Sequence, residues 1–213
     1  MTATNTCSTT AVRFACQLLG LLLVTMVAGI ARGSSVRSVT VAEMLAHCEL
    51  VFEGYVVGRR PYQDTITGMI HTNVIFEVLD VLKGRYSKQS IALSFLGGTV
   101  GDATLALGDM QIPEQGEKGI YFVESLRRRQ VHPLYGWSQG HFLVVTDGRG
   151  VERVLTESRR PVAAMSAKPQ QKSRRFSSGI ARGVTVLEGD QRSGAMTITN
   201  FKKHLSAMQR IRR

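Results

Sequence analysis

The sequence predicts a mainly β protein: a small OB-like barrel of five or six strands, with a short helix before it and another after it. Three observations carry that expectation. Short runs of alternating apolar and polar residues recur, glycine-rich turns separate them, and helical spacing is confined to residues 39–50 and 196–209. A β-sandwich is the alternative, since short alternating strands suit both architectures. No repeat of 20 to 50 residues interrupts the pattern, which excludes a solenoid or propeller.

Residues 39–50 place Val41, Met44, Leu45 and Cys48 at helical spacing, and Thr40 stands three residues before Glu43 as in a capping box. Residues 50–59 then alternate Val51, Glu53 and Tyr55 against Phe52 and Val56, with Gly54 as the expected bulge. A turn-rich stretch, 60–68, leads to the clearest strand, 72–84, where Val74, Phe76 and Val78 oppose Asn73 and Glu77 until Gly84 ends the run. Residues 90–95 form another. Gly97, Gly98, Gly101 and Gly108 mark an extended loop running to about Glu117, and residues 119–123 read as a buried strand. Asp147, Gly148 and Gly150 supply a turn between two apolar arms, a hairpin over 141–155. Residues 183–187 suggest a short strand. Thr197 can cap a last helix carrying Phe201, Leu205 and Met208 on one face, with Met196 and Phe201 placed as a hydrophobic staple.

The expected organisation has a leader at 1–31, a β domain at 32–156, a basic linker with a short strand at 157–195, and a helix at 196–213. The first seventeen residues hold Arg13 and no acid, and the apolar stretch 18–31 ends in Ala28, Gly29, Ile30 and Ala31. That order is a signal peptide's, with cleavage expected after Ala31 or Ala28 and export as the consequence. An uncleaved anchor is the alternative, although the run falls short of the roughly 20 apolar residues a bilayer needs.

The net charge of +11 is unevenly spread. Residues 32–156 hold 13 basic and 13 acidic residues, whereas 157–213 hold 13 basic and 3 acidic. A basic tail attracts polyanions weakly and without specificity, and Phe176 and Phe201 are too few aromatics for base stacking. Cys7 and Cys16 leave with the leader, so Cys48 stays alone and the mature chain has no internal disulfide.

No catalytic constellation stands out. His47 and Cys48 are adjacent, and helical neighbours diverge by about 100°, so they do not grip one metal. Cys48 pairing in space with His71, His132 or His141 would make a thiol dyad, but its place on an apolar stripe reads as packing. The loop at Gly97 lacks the Lys and Ser or Thr of a phosphate-binding loop, and no G-x-S-x-G elbow occurs. No metal and no cofactor are expected. The candidate binding residues are Gly97 and Gly98 in one loop and Tyr135, Trp137 and Gln139 in another, because loops carry recognition and aromatic and amide side chains suit it. Capping of the barrel core is the competing role for Trp137.

The motifs FEVLDVLKG at 76–84, GGTVG at Gly97, QGE at Gln115, YGWSQGHFLV at Tyr135 and TITNF at Thr197 together resemble a family of uncharacterised exported bacterial proteins. The resemblance spans about residues 40–147 and the closing helix. That family is distantly similar to the netrin-like barrels, which include tissue inhibitors of metalloproteinases, through a strand ending in VLKG. The resemblance implies an OB-type barrel. It does not imply inhibition, since those inhibitors share a zinc-chelating N-terminal cysteine and disulfides that this chain lacks. The expected function is an exported, non-enzymatic module binding an unknown protein or envelope polymer, with weak anionic-surface contact through the tail. An exported hydrolase with an unrecognised site and a nucleic-acid binder are the alternatives.

Overall fold

A computed structural model describes residues 36–108, 111–128, 130–167, 176–189 and 191–211. The expected leader lies outside the described residues. Helix α1, Val41–His47, begins where Thr40 accepts from the Glu43 amide and the Glu43 carboxylate reaches back to the Thr40 amide, the expected capping box. Its buried Val41, Met44 and Leu45 face the sheet.

Ten strands follow, namely β1 Leu50–Gln63, β2 Ile70–Lys83, β3 Ser90–Leu96, β4 Gly98–Val100, β5 Ala103–Leu105, β6 Lys118–Val123, β7 His141–Thr146, β8 Glu152–Thr156, β9 Val162–Met165 and β10 Val184–Val186. Six form one antiparallel sheet in the order β3-β2-β1-β6-β7-β8. Helix α2, Ile198–Arg210, closes the chain, capped as expected by Thr197 accepting from the Asn200 amide. Among the described residues no helix is long and apolar enough to cross a membrane.

Strand β1 is the axis of the fold. Residues 50–55 pair with β6 on one side while residues 51–63 pair with β2 on the other. Three register shifts bend this ladder, one of them at Glu53/Gly54, where a bulge was expected. Gly54 is required there because an added Cβ would stand 2.6 Å from the Phe52 ring. The bends let one face gather Leu50, Phe52, Val74, Phe76, Phe95 and Tyr121 in one cluster. Phe76 meets Tyr121 at 4.6 Å and 60°, an edge-on contact that adds about 1 kcal/mol to the burial.

The other face carries Val51, Ile120, Phe122, Phe142, Val144 and Val154, and α1 and α2 cover it. Phe201 of α2 reaches Phe142 at 4.9 Å. Lys202 anchors the same helix, placing its ammonium on the buried Glu53 carboxylate and 2.7 Å from Asp80.

Several boundaries differ from those expected. Residues 60–63 continue β1 instead of opening a turn, because they pair through Ile70 to Asn73. The glycine loop after Leu96 contains a small ladder, β4 with β5. The segment 157–195 supplies β9 as well as the expected β10, and buried Val162, Met165 and Ala181 join the apolar cluster under the helices. Packing therefore continues past Thr156, where polar composition concealed a few well-spaced apolar residues. Strands β3 and β8 occupy the two edges of the sheet, with no ladder joining them among the described residues, so the sheet is open.

Candidate functional site

The two loops singled out in the sequence are built for structure. Gly97 and Gly98 have φ of 111° and 126°, and a Cβ on Gly98 would lie 2.3 Å from Thr72 Oγ1. The Gly97 amide donates to the Ile70 carbonyl at 2.7 Å, and the Thr72 hydroxyl donates to the Gly97 carbonyl at 2.7 Å. The pair turns the chain sharply out of β3.

Gln139, 1% exposed, sits in a short 3-10 turn, Trp137–Gly140. Its Oε1 accepts from the Val39 amide at 2.9 Å, and its Nε2 donates to the carbonyls of Arg37 and Gly136, each at 3.0 Å. Its amide is committed to holding residues 37–39 against the turn, leaving little for a partner. Tyr135 is half-buried and stacks on His47 at 5.5 Å. Trp137 is half-buried, takes a left-handed conformation, φ 58°, and stacks on His132 at 5.7 Å. Burial pushes the His132 imidazole down to about 3, and its Nδ1 accepts from the Leu134 amide.

Catalytic readings meet a similar obstacle. The buried Cys48 thiol is pushed up to about 12 by burial, against a lowering by Lys83, so it is not a thiolate at neutral pH. A more suggestive group lies across β6 and β7. His141 Nε2 is 2.7 Å from Glu117 Oε1, which also accepts the Tyr121 hydroxyl at 2.9 Å. Burial opposes the Glu117 charge, but hydrogen bonds from His141 and Tyr121 outweigh it and hold the carboxyl below its usual range. Burial raises Glu157, with His141 lowering it less and Glu117 adding to the rise. Carboxyls shifted in opposite directions beside a histidine are an acid–base arrangement. The imidazole is nevertheless 3% exposed and stacked on Tyr121 at 5.0 Å, so the pair meets open space only on its Glu117 side, where a small cavity of about 210 Å³ is lined by Glu117, Lys118 and Arg159. No cluster of three His, Cys, Asp or Glu side chains suited to a metal occurs among the described residues.

A wider opening lies elsewhere. A groove of about 740 Å³ runs between edge strand β3, the turn joining β1 to β2, and residues 125–128 and 130–133. Its apolar lining includes Leu96, Met69, Leu126 and Val131, the last three exposed well beyond what core residues show. Lys88, Arg127 and Arg128 line it against the single carboxylate of Asp64. Asp64 is itself engaged, accepting from the amides of Ile66 and Thr67 at 3.0 Å each. Two buried polar atoms of lining residues, His71 Nδ1 and Gln130 Oε1, have no hydrogen-bond partner among the described residues.

Sequence reasoning missed this groove. The signal was present in SLRRRQV at 125–131, where consecutive arginines stand between two apolar residues in a loop. Counting charge over residues 32–156 averaged that cluster away.

Comparison with protein-family models, with curated proteins and with solved structures finds no match for this chain.

Proposed function

We propose that this chain is an exported, non-enzymatic binding module that takes a partner protein in the groove beside β3. The observation that carries the reading is the groove itself: an apolar, cation-rimmed cleft at a sheet edge that pairs with no further strand among the described residues. Such a site offers binding area and orienting groups but no activated nucleophile. The loops at Gly97 and at Tyr135 serve as the frame.

The fold is an open relative of the OB-type barrel, in which the long bulged β1 serves both halves of the sheet. Export follows from the leader pattern at residues 1–31. The basic tail adds electrostatic attraction to an anionic envelope surface, reduced because Arg182 and Lys202 already face Glu43, Glu53 and Asp80.

A pull-down from the producing cell's envelope and medium tests the reading, using the chain beside a Leu126→Glu/Val131→Glu variant. One discrete partner recovered by the first and lost by the second supports it. Equal recovery by both, or recovery lost only when Trp137→Ala is introduced, moves the site out of the groove. N-terminal sequencing of the exported protein tests the leader, with Arg32 or Gly29 expected as the first residue.

A further inference from the structure

We infer that the groove's occupant is an extended, acidic segment of the partner that pairs with β3 as an added strand. The inference rests on the groove being the binding site and names what fills it.

The backbone of β3 decides the geometry. Its ladder with β2 has the pairs Thr72↔Phe95, Val74↔Leu93 and Phe76↔Ile91. The Val78 amide donates to the Gln89 carbonyl and the Gly97 amide to the Ile70 carbonyl, so residues 89, 91, 93, 95 and 97 bond toward β2. By alternation Ser90, Ala92, Ser94 and Leu96 aim their amides and carbonyls the other way. Leu96 is already used, its amide donating to the Val131 carbonyl at 3.3 Å. The Ser90 carbonyl is used as well, accepting from the Tyr86 hydroxyl at 2.8 Å, whereas Ala92 and Ser94 line the groove with no neighbouring strand among the described residues.

Edge strands in soluble proteins are usually blunted by charge, proline, a bulge or a cover. Strand β3 reads SIALSFL, with no charge and no proline, and its ladder with β2 has no register shift. The Leu96–Val131 bond closes one end of the open edge and the Tyr86–Ser90 bond limits the other, so an added strand pairs at Ala92 and Ser94 and is about three to five residues long. Its apolar side chains meet Leu126 and Val131.

Charge selects the chemistry. Arg127 lies 4.0 Å from Glu49 and Arg128 3.5 Å from Glu124, loose exposed contacts that leave both guanidiniums able to take a carboxylate. Lys88 adds a third cation. A second copy of this chain fits poorly, because pairing β3 with β3 would bring two sets of these cations together in a protein of net charge +11.

Panning a displayed library of random dodecapeptides against the purified chain tests this, with Ala92→Pro and Arg127→Glu/Arg128→Glu variants panned in parallel. Proline at 92 removes an outward amide and leaves the β2 ladder intact, and slow amide exchange at Leu93 and Phe95 verifies that it does. The expected selection is of Asp- or Glu-containing peptides with alternating β-branched or aromatic residues. These should slow amide exchange at Ala92 and Ser94, and bind each variant at least about tenfold more weakly.

Peptides that map to the groove but leave Ala92 and Ser94 exchange unchanged, or bind Ala92→Pro equally, overturn strand pairing while the groove stands. Selected peptides that are basic, or indifferent to the arginine reversal, overturn the acidic partner. Peptides mapping elsewhere, or no selection over the variants, overturn the inference and count against the groove as well. Peptide-free dimerisation that protects Ala92 and Ser94 assigns the edge to a second copy instead.

Discussion

Replacing Gln139 by Ala separates a side chain that frames the fold from one that meets a partner. The substitution leaves the buried Val39 amide without its acceptor and takes a donor from the carbonyls of Arg37 and Gly136. An orphaned buried amide costs about 1–3 kcal/mol and each carbonyl bond contributes about 0.5–1 kcal/mol, so the expected loss is about 3 kcal/mol. Against the roughly 5–15 kcal/mol that holds a domain together, that is a large fraction. Urea unfolding followed by far-UV circular dichroism, with Trp137 fluorescence as a second probe, measures it. Gln139→Glu sharpens the test, because one carboxylate oxygen still accepts from Val39 while the other faces two carbonyls. Those carbonyls and burial raise the introduced carboxyl's folded pKa above its unfolded value. Stability is then retained below the carboxylate range and lost as pH rises through it. Relative to the parent chain, this variant should be nearly as stable at about pH 4 and clearly weaker at about pH 7. A loss under about 1 kcal/mol for Gln139→Ala, or a pH-independent deficit for Gln139→Glu, would refute the bracing role.

Four further outcomes are expected. Cys48, buried with its thiol pushed up to about 12, should resist an aromatic disulfide reagent at pH 8 until the chain unfolds; rapid native labelling would contradict its place in the core. Gly98→Ala forces a Cβ to 2.3 Å from Thr72 Oγ1 at φ 126° and should cost about 2 kcal/mol or more in urea, whereas Gly148→Ala, with nothing within 4 Å, should cost under about 0.5 kcal/mol. His132 is depressed to about 3 in the fold, so stability present above its unfolded value of about 6.5 should drain away as pH falls toward 3. An imidazole that nuclear magnetic resonance finds protonated at pH 5 would overturn that assignment. Burial works against the charges of Lys118 and Lys202, yet bonds and attraction from their carboxylate partners raise both. Their contribution is present below the ordinary lysine range, so it should be lost only as pH climbs above about 10.4, and Lys202→Met should flatten that alkaline limb.

Local elements were legible because their chemistry is local. Thr40 with Glu43, Thr197 before its helix, the Asp147 turn and the alternation through Phe76 each specify a cap, a turn or a face within a few residues. The strand order was not legible, since the pairing of β1 with β6 joins residues far apart in sequence that no short pattern encodes. The groove inherits that difficulty, as Ala92 and Ser94 become an open edge only once β2 occupies the other side of β3. The bracing contacts of Gln139 were hidden for a related reason. A glutamine among glycines resembles an exposed loop residue, yet its acceptor is the Val39 amide, 100 positions away. Val162 and Met165 were hidden by their basic surroundings and by a spacing of three that no regular strand gives, since a register shift in the β9–β10 ladder is what accompanies their burial in one cluster.

Site-specific photo-crosslinking in the producing cell addresses the partner site most directly, with the photoreactive residue placed at Leu126 in the groove or at Gly108 in the glycine loop, where side-chain space is open. The groove account predicts one crosslinked partner from position 126, mapped by mass to an extended acidic segment, and none from position 108. A discrete partner captured from position 108 and not from 126 would contradict it.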